Sequence, residues 1–251
     1  MTFLPRQFSA SSSASKDQRL ANSEQGQAMN LSAQQSHSAQ GQAAPAAPAQ
    51  PETSSMASRD TSPTCDNRIM DVWADNFDDK FDEMLALVED FPYVAFDTEY
   101  PGLVIENVVE PYWTATQANY VHMKNNVNAL KLIQLGITFS DKEGNRPPAG
   151  PVCWQFNFAF DLEKDMYASD AIDLLQNASL DFQKFSNKGI ATQLFGEKFM
   201  SSGLVLNENI KWISFHGLFD FGYLLKLLTG LNLPDESTEF FESLDLFFPQ
   251  R

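Results

Sequence analysis

Asp97 and Glu99 stand one residue apart in FDTEYPG, residues 96–102, at the end of the apolar run Val94-Ala95-Phe96. Side chains alternate along a strand, so both carboxylates project from one face. Two negative charges held there repel each other, unless one takes a proton or a hard divalent cation lies between them. Pro101-Gly102 then ends or bends the strand. The chemistry open to such a pair is metal-assisted; the alternative is a solvent-facing edge pair. The spacing is weak evidence alone, because Asp-x-Glu occurs three times in this acidic chain. Asp141-Lys-Glu143 falls in a hydrophilic turn, and Asp161-Leu-Glu163 closes an aromatic strand, where it reads as a strand end or helix cap. Only Asp97-Thr-Glu99 continues a strand expected to be central.

A third acid bears on the choice. Asp220 lies in WISFHGLFDFGYLLKLL, the only acidic residue between Glu208 and Asp235, among Phe215, Phe219, Phe221 and Tyr223. A charge in apolar surroundings needs a partner. That partner is either a bound cation or the positive end of the helix that starts here.

The elements that must position these residues follow from periodicity. DVWADNFDDKFDEMLALVEDF carries Phe77, Phe81, Leu85 and Val88 on one stripe and reads as an amphipathic helix. YVAFDTEY is a short strand. LKLIQLGITF alternates, with Ile133, Leu135, Ile137 and Phe139 on one face; WQFNFAFD alternates again, with Trp154, Phe156, Phe158 and Phe160 together. The Gly/Asn/Pro loop between them predicts a long hairpin with one buried aromatic face. SDAIDLLQNA, ATQLFGEKFM, FGYLLKLLTG and ESTEFFESLDLFF read as helices, with KWISF as a returning strand. Strands first, then helices with one strand returning, predict an α/β fold with a mixed sheet and helices packed on it.

Composition sets the limits. Of 251 residues, 33 are acidic and 17 basic, a formal charge of −16. There is no basic run of the kind that marks a nucleic-acid footprint, so a polyanionic ligand would need bound cations or a local basic patch. Two cysteines and three histidines exclude a disulfide framework and a Cys/His zinc module. No apolar run approaches a membrane span, and no membrane partner is expected. The N-terminus lacks the continuous apolar core of a secretory signal. Its Ser-rich start leaves a mitochondrial presequence open, and an intracellular, reducing compartment is the better fit. Residues 1–66, rich in Ser, Ala, Gln and Pro, are expected to form a disordered tail, and residues 67–251 a single domain.

At FDTEYPG the chain resembles the first motif of the DEDD superfamily of 3′-to-5′ exonucleases, and His216-Gly-Leu-Phe219-Asp220 resembles the second. More narrowly, it is similar to the DEDD-type catalytic deadenylase subunit family of the CCR/NOT complex. DVWADN, YVAFDTEYPG, LKLIQLGITF, WQFNFAFDLEKDMYASDAIDLL, KWISFHGLFDFGYLLKLLTG and NLPDESTEFFESLDLFFP follow that family's order over about residues 69–249. The resemblance implies a ribonuclease-H-like fold and poly(A)-specific removal of mRNA tails, one AMP at a time from the 3′ end. It implies that Asp97, Glu99 and Asp220 ligate two Mg²⁺ ions, with Mn²⁺ as a substitute. One ion would activate water and the other would stabilise the leaving oxygen, the two being about 3.5–4 Å apart. It also implies poly(A) RNA, the complex's scaffold subunit and its second deadenylase as partners, and residence in cytoplasm and nucleus. His216 would support the site rather than ligate metal.

The third family motif, His-x4-Asp in this family, is not present. Five residues after His37, His122 and His216 stand Gln42, Val127 and Phe221; Tyr93 has Asp97 four residues on, but that acid already serves the first motif. The fourth acid and the general base therefore have no counterpart in this chain, which the resemblance reads as C-terminally truncated. General acid–base help is typically worth ~10²–10⁴-fold. A poor or inactive deadenylase, acting as an interaction subunit or competitor, is accordingly the alternative. The same reading expects the helix from Glu236 to Phe248 to lack packing partners and to expose an apolar patch. An unrelated ribonuclease-H-like protein with chance carboxylates is the third reading.

Overall fold

Alternation of large apolar with small or polar residues builds the middle of a five-stranded mixed sheet. The computed structural model describes residues 68–251, so the expected tail at 1–66 lies outside the described residues. The strands are β1 (Ile69–Val72), β2 (Tyr93–Glu99), β3 (Gln134–Ser140), β4 (Cys153–Asn157) and β5 (Lys211–Ile213), in the order β1-β4-β3-β2-β5. β3 and β4 form the expected antiparallel hairpin, with Ile137 opposite Trp154 and Leu135 opposite Phe156. All four are fully buried, on one face of the sheet. β2 pairs antiparallel with β3 and parallel with β5, which makes it an interior strand, as its apolar run predicts.

The helices are α1 (Phe77–Leu85), α2 (Ala115–Ala129), α3 (Ser169–Asn177), α4 (Phe182–Lys188), α5 (Thr192–Met200), α6 (Leu218–Thr229) and α7 (Ser237–Phe247). Phe77 and Phe81 of α1 and Phe195 and Phe199 of α5 interleave with Phe156 and Phe158. Each such ring stabilises the fold by roughly 1.5–3 kcal/mol when fully buried. A second, smaller cluster gathers Trp73, Ile133, Phe160, Ile172, Phe182 and Phe185 under α3 and α4.

Several elements differ from expectation. DVWADN does not belong to the first helix: Asp71 and Val72 end β1, which pairs parallel with β4, and the helix begins at Phe77. Met84, not Leu85, completes its buried stripe. α2 and α4 had no counterpart in the periodicity. α2 begins with a capping box in which Thr114 and Gln117 satisfy each other's backbone N–H groups. α4 begins at Asp181, whose carboxylate accepts from Lys184 N.

The expectation of a bare face on the helix around 236–248 is corrected. Phe240, Leu244 and Phe248 are buried. Phe240 packs against Tyr120, and Phe248 against Trp212 and Phe221, with ring centroids 5.2–5.3 Å apart. Elements N-terminal to the helix supply the cover. Phe241 and Leu246 remain exposed.

Candidate active site

β2 places its residues by alternation. Val94 and Phe96 enter the core, so Asp97 and Glu99 project from the opposite face, with Asp97 exposed and Glu99 partly so. Opposite them on β3 stand Gly136 and Gln134. Thr98 lies on the core side, where α6 packs. Asp220 sits in the first turn of α6, 7% exposed, and its Oδ1 accepts from Thr98 N at 3.0 Å and Thr98 Oγ1 at 2.5 Å. The third acid therefore meets the strand between the other two, at the residue that separates them.

Aromatic packing fixes this joint. The Tyr100 ring lies between Phe219 (5.5 Å, interplanar angle 13°) and Tyr223 (5.1 Å, 27°). Those two are four residues apart on α6 and so share one face. The clamp sets the end of β2 against the start of α6 and holds Thr98 opposite Asp220. Beyond it, Gly102 turns the chain at φ +79°. Asn126 of α2, fully buried, then pins the chain: its Oδ1 accepts from the N–H groups of Val104 and Ile105, and its Nδ2 donates to the carbonyls of Ile105 and His122.

Electrostatics show the acids as a group. Burial and the neighbouring Asp97 charge push the Glu99 carboxyl above its ordinary value. Burial raises that of Asp220, the Thr98 hydroxyl pulls it back, and Asp97 raises it further. The Tyr100 phenol is raised by burial and then by Asp220, Glu99 and Asp97 together. Negative charge is thus concentrated at the strand end without a counter-charge. Among the described residues, no three His, Cys, Asp or Glu side chains close on one point tightly enough to hold an ion as they stand, and one oxygen of Asp220 is held by Thr98. The donor set is nonetheless the hard-oxygen type that suits Mg²⁺ or Mn²⁺, and its mutual repulsion is what a divalent cation relieves. On donor chemistry the residues fit such an ion.

His216 stands apart from the three acids. It is exposed, with φ +53°, and its ring lies edge-on to Phe215 at 4.5 Å. Its carbonyl accepts from Leu218 N. Thr98, Tyr100 and Asn126 were not singled out by sequence. Thr98 lies inside the Asp-x-Glu motif, where alternation alone turns it toward the core and α6. Tyr100 follows the motif directly. Asn126 gave no signal, since its role depends on a loop more than twenty residues away.

A five-stranded mixed sheet of the ribonuclease-H-like kind, with acids gathered where an interior strand meets a helix, is the frame of a nuclease. The chain belongs to the CAF1 ribonuclease family: residues 72–194 match the CAF1 family ribonuclease. Over 188 residues it is 50% identical to probable CCR4-associated factor 1 homolog 7 of Arabidopsis thaliana, covering 73% of this chain and 68% of that protein. It is 41% identical to poly(A) ribonuclease pop2 of Schizosaccharomyces pombe over 182 residues, covering 72% and 54%. The chain therefore spans 54–68% of the length of these relatives. Among solved structures, S. pombe Pop2p in its Mg²⁺- and Mn²⁺-bound form matches with a TM-score of 0.69 at 41% identity, over 72% of this chain and 71% of that one. Yeast CAF1 co-crystallised with the NOT1 MIF4G domain matches with a TM-score of 0.61 at 30% identity, over 72% and 66%.

Proposed function

We propose that this protein is a poly(A)-specific 3′-to-5′ exoribonuclease that shortens mRNA tails by releasing AMP, as a subunit of the CCR/NOT complex. Asp97, Glu99 and Asp220 hold its divalent cations. The observation that carries this reading is the coupling of Asp97 to both Glu99 and Asp220 at the end of β2, in a chain of the CAF1 ribonuclease family. The metal-bound form of Pop2p supports the choice of Mg²⁺ or Mn²⁺, and the co-crystal of CAF1 with NOT1 supports a scaffold partner. Two Mg²⁺ ions, a second deadenylase in the same assembly, and residence in cytoplasm and nucleus complete the proposal.

The chain's own residues divide the work. Asp97 and Glu99 present oxygens from one face of a rigid interior strand. Thr98 fixes one oxygen of Asp220, leaving the other free to ligate. The Tyr100 clamp keeps the strand and helix in register, which matters because sub-ångström placement governs phosphoryl-transfer rates. Bound divalent cations supply an activated water and neutralise charge on the scissile phosphate. Such cations also account for an RNA substrate on a chain of net charge −16.

The test has two readouts: AMP release from 5′-labelled oligoadenylate, and Mn²⁺ binding by electron paramagnetic resonance. The unaltered chain should bind Mn²⁺ and shorten oligoadenylate only with Mg²⁺ or Mn²⁺, and Asp97→Ala should lose both. Metal binding unchanged in Asp97→Ala, or shortening in the presence of chelator, overturns the proposal. A second reading, an interaction subunit with impaired catalysis, is favoured by the lack of a His-x4-Asp pair among the 251 residues. It predicts Mn²⁺ binding that depends on Asp97, with little or no AMP release.

A further inference from the structure

Phe215 is 84% exposed, more than any other large apolar side chain among the described residues. It occupies the turn Ser214–Gly217, between the end of β5 and the start of α6, five residues before Asp220. The neighbouring rings behave differently: Trp212 and Phe221 are buried, and Phe219 is stacked on Tyr100. The turn itself is strained and tight. His216 adopts a left-handed φ of +53°, which non-glycine residues avoid and which recurs at ligand-handling sites. Gly217 leaves no room for a Cβ, because Ser214 Oγ fills that space. The backbone therefore fixes where Phe215 points, and His216 supports the ring edge-on at 4.5 Å and 72°.

A fixed, outward aromatic plane next to an acidic, cation-binding site has one half of what a nucleotide needs. Cations at the acids take the phosphate, and they offer nothing to the base. An unpaired base needs a flat apolar surface, and stacking on an aromatic side chain is its usual anchor. We infer that Phe215, supported by His216, is the stacking platform for the terminal nucleobase of the RNA, and so a positioning residue for the reaction. The inference rests on the exoribonuclease reading above. Stacking alone accepts any base, so Phe215 supplies affinity and placement, and selectivity for adenine must come from other contacts.

The experiment measures affinity for single-stranded oligoadenylate by fluorescence anisotropy, with Ca²⁺ replacing Mg²⁺ to hold turnover off. Phe215→Ala should weaken binding on the order of 10-fold, while Phe215→Trp binds as tightly as the unaltered chain. Both should keep the unaltered melting temperature, since the ring is exposed. An oligonucleotide lacking its 3′-terminal base should bind the unaltered chain about as weakly as Phe215→Ala binds the intact one. The two losses should not add, because they remove the same contact. Unchanged affinity in Phe215→Ala, additive losses, no rescue by Trp, or a lowered melting temperature each overturns the inference and leaves the nuclease reading standing. No oligoadenylate binding by the unaltered chain overturns both.

Discussion

Asp220 Oδ1 accepts two hydrogen bonds from Thr98, from the backbone N–H at 3.0 Å and from Oγ1 at 2.5 Å, across 122 residues of sequence. Asp220 is nearly buried, so these bonds are a large part of what holds its carboxylate in place of water. Thr98→Val keeps the β-branched shape and removes only the hydroxyl. Bonds to charged groups are the stronger kind, and the variant should lose about 1–2 kcal/mol of stability in urea denaturation at neutral pH. A loss below about 0.3 kcal/mol would place the carboxylate in water instead.

Glu99 and Asp220 both have carboxyls raised in the folded chain, by burial first. The unfolded chain gives up these protons earlier, from ordinary values of 4.5 and 3.8. Their contribution to stability is therefore full below those values and is lost as pH rises through the raised folded ones. The paired variant Glu99→Gln with Asp220→Asn keeps the acceptor for Thr98 and removes both charges. In chelator, its melting temperature relative to the unaltered chain should rise from acidic to neutral pH. Mn²⁺ should raise the melting temperature of the unaltered chain at neutral pH, less so in acid, and leave the variant unmoved. A relative melting temperature that falls with pH would falsify the assignment of repulsion at this site.

The strands that carry the site were legible because they follow a period of two with large residues. Trp154, Phe156 and Phe158 leave little choice of face, and Asp97 and Glu99 inherit theirs from Val94 and Phe96. α2 was not legible. Its buried residues are spread among Asn, Gln, His and Lys, and its stability comes from a capping box and from Asn126, which are polar devices without periodicity. β1 offers four residues of which only Val72 is buried, and its pairing with β4 is set by a strand 80 residues away. The cover over α7 was missed for a related reason: Tyr120, Trp212 and Phe221 come from three separate elements. Of the site, the three acids could be read, while the Thr98 and Tyr100 contacts arise only where β2 and α6 meet.

Asn126 makes four hydrogen bonds, two accepted and two donated, each of 2.9–3.0 Å. All join α2 to the chain just beyond the acidic motif or to α2 itself. Asn126→Ala leaves two N–H groups and a carbonyl of residues 104–105 without their partner. The cost should be about 2–4 kcal/mol, from several unsatisfied polar groups at once. Hydrogen exchange should quicken at Val104 and Ile105 before any change appears at β3. Unchanged exchange there would mean that the loop holds its shape without α2.

Tyr100 and Thr98 sit on one joint, and their contributions should be coupled. The Tyr100 ring stacks on Phe219 and Tyr223, the residues one before and three after Asp220. Tyr100→Phe keeps both stacks and should cost little. Tyr100→Leu loses them, and aromatic pairs contribute about 0.5–1.5 kcal/mol each beyond burial. If the stack positions α6 so that Asp220 reaches Thr98, then removing it also weakens those bonds. The double variant Tyr100→Leu with Thr98→Val should then be less destabilised than the sum of the single ones, by at least ~0.5 kcal/mol. The same coupling should appear in Mn²⁺ affinity, since Asp220 can serve as a ligand only where Thr98 holds it. Strict additivity in both measurements would mean that the aromatic clamp and the acid are independent, and that the start of α6 is positioned by its packing on α2 and α5 instead.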